Sequence, residues 1–165
     1  LYKREGLQIE PLIHGGKTTT VFRAGTPACA WIVSFAKALR LAYEDIEMKN
    51  AHVLELNRYL LDKLNGLDVC VNSNEYCLPH IVNISLNGIK PETMLHALEQ
   101  DDIYVSTQTA CSTGNYSLAV FSVTNDMEKA RHSMRISLSY LTTKVEIDKF
   151  ILSFSKNLDK LGELT

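Results

Sequence analysis

The run Ser106-Thr107-Gln108-Thr109-Ala110-Cys111-Ser112-Thr113-Gly114 sets one thiol among small hydroxylated residues. A structural cysteine normally sits among Val, Leu and Ile. This composition instead predicts a mobile, solvated loop, where reactive groups tend to be placed. Cys111 is thus a candidate nucleophile or redox thiol, with an inert loop thiol as the competing reading. Arg135 is the second candidate. In Ser133-Met134-Arg135-Ile136-Ser137-Leu138, strand alternation puts Met134, Ile136 and Leu138 on a core face and Arg135 on the other, between serines. A guanidinium there suits a two-pronged grip on a carboxylate, against the alternative of a solvated arginine on an open sheet face. Thr26 is the third. It reads as the N-cap of a helix with Pro27 at the first helical position. With Gly25 and an arginine before it, that helix start also offers N–H groups and a dipole to a phosphate.

The elements that must position these residues follow from spacing. Ala28, Trp31, Phe35, Ala38, Leu39, Ala42 and Ile46 recur at helical steps, and Val53, Leu56, Leu60 and Leu64 continue them. The expectation is one long amphipathic helix, broken near Lys49-Asn50 and ended by Asn65-Gly66. Short strands are expected at Leu67–Val71, His80–Leu86, Ile103–Val105 and Ser133–Leu138, and a helix from Pro91. Residues 116–132 read as weakly helical. Thr143-Lys144-Val145-Glu146 is a capping box opening a helix with Ile147, Ile151, Phe154, Leu158 and Leu161 on one stripe. This order predicts an α+β fold, a mixed or antiparallel sheet covered by helices. Before Thr26, His14-Gly15-Gly16-Lys17 and three threonines form a shaped loop.

Composition narrows the function classes. A chain of 165 residues, 45% hydrophobic and 22% charged, has the make-up of one globular domain. A net charge of −2 gives no reason to expect nucleic acid or an anionic membrane as partner. No run approaches the ~20 apolar residues of a membrane span. The four cysteines (Cys29, Cys70, Cys77, Cys111) lack CxxC spacing, so no metal site is expected. Cys70, Cys77, His14, His52 and His80 are taken as structural, and His96 and His132 as solvated. Without a secretory signal, reduced thiols and a cytoplasmic setting are the default. The start at Leu1, with no methionine, suggests a piece of something longer.

Taken together, His14-Gly15-Gly16, Arg23-Ala24-Gly25-Thr26, Pro79-His80-Ile81-Val82-Asn83-Ile84-Ser85, Ala110-Cys111-Ser112 and His132 through Leu138 resemble the ordered motifs of cysteine desulfurases of the NifS/IscS type, members of the class V aminotransferase group. The resemblance runs from about Gly6 to Leu161. It implies the small C-terminal domain of a fold-type I enzyme dependent on pyridoxal 5'-phosphate (PLP), with residues 1–26 as a remnant of the large domain and 27–165 as the small domain. It further implies Cys111 as the nucleophile that takes sulfur from L-cysteine as a persulfide, Arg135 as the holder of the substrate carboxylate, and Thr26 as a contact to the PLP phosphate of the partner subunit in a homodimer. A sulfur-acceptor or iron-sulfur scaffold protein is the implied partner. Departures occur at Lys17-Thr18-Thr19, where the family has a further glycine, at Thr107-Gln108-Thr109, which lacks a hinge glycine, and at Asn115-Tyr116-Ser117-Leu118. The family's Schiff-base lysine lies upstream of the segment matching Leu1, and neither Lys3 nor Lys17 stands in its context, so the chain alone is expected to be inactive. Two other readings stay open: a selenocysteine lyase or other class V lyase, and a non-catalytic dimerisation or scaffold-docking domain.

Overall fold

In the computed structural model, the described residues are 2–16, 20–107 and 116–163, and the chain divides into two units, Leu1–Ile46 and Glu47–Thr165. In the first unit, α1 spans Cys29–Tyr43 and contains no buried residue. The expected cap at Thr26 is not what starts it. Ala28 is the N-cap residue, without a side-chain cap, at φ −78 and ψ 73. These angles form an inverse γ-turn, closed by Cys29 N–H donating to Pro27 O at 2.9 Å, and this turn moves the helix start past Pro27.

The long helix is also two helices. The break falls at Glu44-Asp45, not at Lys49-Asn50: Glu44 has ψ 124 and Asp45 is left-handed at φ 58. Aspartate tolerates that conformation because its short polar side chain can hydrogen-bond locally. α2 then runs Ile46–Leu64, with Val53, Leu56, Leu60 and Leu64 buried.

The second unit is built on a three-stranded sheet ordered β1-β2-β3, with β1 Val69–Val71, β2 Ile81–Leu86 and β3 Ser133–Ser137. Both pairings are antiparallel, with Val71 opposite Ile84 and Asn83 opposite Arg135. Val82, Ile84, Leu86 and Met134 are buried on one face. Against them pack α2, α3 (Pro91–Glu99) and α6 (Lys144–Gly162), which supply Leu56, Leu60, Met94, Leu98 and Phe154. Each fully buried Leu, Met or Phe stabilises this core by roughly 1.5–3 kcal/mol. The capping box at Thr143 forms as expected, Thr143 Oγ1 accepting from Glu146 N–H and Glu146 accepting from Thr143 N–H. The end of α3 is tied to α6 by Ser153 Oγ donating to Asp101 Oδ2 at 2.6 Å.

Two short helices lie near the opposite face of the sheet. α4 (Leu118–Thr124) ends at left-handed Asn125, and α5 (Met127–Arg131) starts at Asp126, whose side chain accepts from Glu128 and Lys129 N–H. The weak helical signal over 116–132 is thus a two-helix turn. Ile103–Val105 forms no strand, and only Ser106 joins the sheet, as a bridge to Arg135. No helix among the described residues is long and apolar enough to cross a membrane.

Candidate functional site

Parity places Arg135. Its neighbours Met134 and Ile136 are buried in the core, so its side chain leaves the sheet on the other face. The backbone there is held from both sides. Asn83 pairs with it on β2, and Ser106 on the far edge exchanges two hydrogen bonds, Arg135 N–H to Ser106 O at 2.6 Å and Ser106 N–H to Arg135 O at 3.1 Å.

Arg135 lines a pocket of about 370 Å³ on this face. Leu78, Ile81, Val120 and Val123 make its apolar walls, and Asn72, Asn83, Thr107 and Ser117 supply polar groups. Arg135 is the single charged side chain among the described lining residues, and its Nε is buried without a hydrogen-bond partner. A guanidinium in an apolar wall with no counter-charge is costly, and a carboxylate ligand would supply both the charge and the missing acceptor.

A chain of hydrogen bonds runs to this site. Ser85 Oγ donates to the Lys129 carbonyl at 2.8 Å, and Asn72 Nδ2 donates to Ser85 Oγ at 2.7 Å and to Asn83 Oδ1 at 2.8 Å. Asn83 N–H in turn donates to Ser73 Oγ at 2.9 Å. Sequence reasoning missed Asn72, Asn83 and Cys77. The off-core parity of Asn83 in β2 was the one available signal. Cys77, taken as structural, also lines the pocket and is exposed as a free thiol.

Cys111 lies outside the described residues, as do Lys17-Thr18-Thr19 and Gln108-Thr109 of the noted departures. Thr26 belongs to the first unit and is exposed. There the two loop motifs meet: Ala24 N–H donates to Ile13 O at 3.3 Å, and a Cβ on Gly15 would sit 3.0 Å from that of Ala24. Gly25 has φ +108, and the Arg23 guanidinium folds over it so that a Cβ there would lie 3.2 Å from Nη1. The backbone beside Thr26 is therefore bare and overlain by a cation, a cradle whose chemistry fits a phosphate. Lys3 is committed elsewhere, its Nζ donating to Leu7 O at 2.9 Å and lying over the Phe22 ring.

Comparisons with known proteins bear on the family and the fold. Residues 8–150 match the family model described as Aminotransferase class-V. A NifS/IcsS protein homolog of Lactobacillus delbrueckii is 32% identical over 99% of this chain and 45% of its own length. The cysteine desulfurase IscS of Methylobacillus flagellatus is 32% identical over 99% of this chain and 41% of its own. A solved NifS-like protein superposes with a TM-score of 0.82 at 30% identity, over 97% of this chain and 42% of that one. The chain thus spans about two fifths of the length of these relatives. The chain belongs to the class-V aminotransferase family.

Proposed function

We propose that this chain is the C-terminal part of a PLP-dependent cysteine desulfurase, with residues 1–26 closing the large domain and residues 27–165 forming the small one. The observation that carries the reading is Arg135, the single charged side chain among the described lining residues of its pocket, with a buried Nε that has no partner. It would hold the α-carboxylate of L-cysteine. Arg23, Gly25 and Thr26 would hold the phosphate of PLP bound in the partner subunit of a homodimer. PLP, when bound, supplies the electron sink that weakens the bond to the departing sulfur.

Cys111 would act as the nucleophile. Its thiolate attacks the sulfur of L-cysteine and forms the S–S bond as the Cβ–S bond breaks. The electron pair passes to Cβ, which takes up a proton to give L-alanine, and Cys111 keeps the sulfur as a persulfide. A sulfur-acceptor protein, such as an iron-sulfur scaffold, would then receive it in the cytoplasm.

The test is the full-length protein loaded with PLP and given L-cysteine. Alanine release with persulfide labelling at Cys111 is expected, and both should vanish in Cys111→Ala. A Cys111→Ala protein that loses cysteine turnover but keeps selenocysteine turnover would move the reading to a selenocysteine lyase. No alanine and no label in the wild type would leave a dimerisation or docking domain.

A further inference from the structure

Asn83 stands directly opposite Arg135 in the β2–β3 register, so the two side chains leave adjacent backbone positions on the same face of the sheet. Both line the pocket. The amide of Asn83 is not free to turn. A backbone carbonyl only accepts, so Lys129 O forces Ser85 Oγ to spend its hydrogen there. Ser85 Oγ can then only accept from the amide of Asn72, which identifies the atom facing it as Nδ2. The second hydrogen of Asn72 Nδ2 goes to Asn83 Oδ1. With its oxygen committed to Asn72, Asn83 has its NH2 group left for the pocket. The remaining Asn72 Oδ1 is buried with no partner, which is what this orientation costs.

We propose that Asn83 is a second substrate-binding residue, whose amide NH2 donates to one carboxylate oxygen of an α-amino acid while the Arg135 guanidinium takes the other, with Asn72 and Ser85 as the residues that hold the amide in place. The inference rests on the reading of Arg135 as a carboxylate site. A carboxylate has two oxygens with about four acceptor positions, so one arginine and one amide saturate it better than either alone. The Lys129 carbonyl fixes the donor and acceptor roles along the chain, and so makes that end of the site a donor before any ligand arrives.

The discriminating substitution is Asn83→Asp. It is isosteric and keeps the oxygen that accepts from Asn72, but replaces the pocket-facing donor by an anion. Binding of L-alanine to the isotope-labelled chain is followed by NMR shift changes, with ethylamine as the probe lacking a carboxylate. Asn83→Asp should weaken L-alanine binding about tenfold or more and should not weaken that of ethylamine. Asn72→Ala, which removes the partner that orients the amide but leaves the amide itself, should weaken L-alanine binding by less. Asn83→Ser removes the donor without placing a carboxylate beside Arg135, so it should show the same loss free of that pairing, and it also serves if Asn83→Asp does not fold. Arg135→Gln separates the two claims. If it leaves L-alanine binding unchanged, or if the wild-type chain shows none, the carboxylate site itself is overturned. If Arg135→Gln abolishes binding while Asn83→Ser leaves it unchanged, the role of Asn83 alone is overturned.

Discussion

At Arg135 the chemistry follows from which side of a strand a residue occupies. Met134 and Ile136 are drawn into the core, so the guanidinium between them must face the pocket. A lysine at the same position would keep the charge but lose the planar fork. Arg135→Lys in the full-length protein should therefore raise KM for L-cysteine about tenfold, with a smaller change in kcat, measured as alanine release. Gly25 carries a comparable demand in the other unit. Its φ of +108 is strained for any side chain, and a Cβ there would also make the Arg23 guanidinium shift by a few tenths of an ångström. Gly25→Ala should cost about 1–3 kcal/mol of local strain and show as faster loss of PLP from the full-length protein. The face that Arg135 occupies was legible from alternation, although a solvated arginine would have shared it. Asn83 was not, because a polar residue off the core face looks like a solvated one until the register sets it beside Arg135.

At the scale of elements, the helix that the sequence describes best is α6. Its capping box forms, and Thr143→Ala should lower the melting temperature of the chain by about 2–4 °C. The same cap carries a pH dependence. The Thr143 backbone N–H, and then its hydroxyl, hold the Glu146 carboxyl below its ordinary value. Its contribution is therefore present above the ordinary carboxylate pKa and is lost as pH falls through the lowered one. Asp148 behaves alike, lowered by the Tyr59 hydroxyl at 2.7 Å and by Lys63. Denaturant midpoints measured on acidification should thus fall less steeply in Glu146→Gln than in the wild type. In the core, Phe154→Ala should cost about 3–5 kcal/mol, read from urea unfolding, since Phe154 is fully buried and stacked on Phe150 at 5.1 Å. Boundaries were harder to read than elements. The helix break at Asp45 and the γ-turn at Ala28 depend on single backbone angles that apolar periodicity does not report.

For the whole molecule, α1 is the helix whose apolar stripe the described residues leave uncovered. Its apolar residues repeat as a core-facing stripe should, yet none of them is buried, and Trp31 is 79% exposed. As the one tryptophan, Trp31 should give the chain a red-shifted emission that acrylamide quenches freely. A second expectation concerns the lysines. None stands in the context of the family's Schiff-base lysine, and so incubation of the chain with PLP and borohydride should leave no reduced adduct at a single lysine. The sequence by itself determined the α+β class, the core stripes of α2 and α6 and the parity of β3, because periodicity and caps are local and survive without a partner. Only tertiary structure decided that Arg135 has no counter-charge among the described residues lining its pocket, that Ser106 bridges to it, and that Lys129, Ser85, Asn72 and Asn83 form one hydrogen-bonded chain. Those relations join positions up to 52 residues apart by hydrogen bonds and strand register, and neither exists until the sheet has closed.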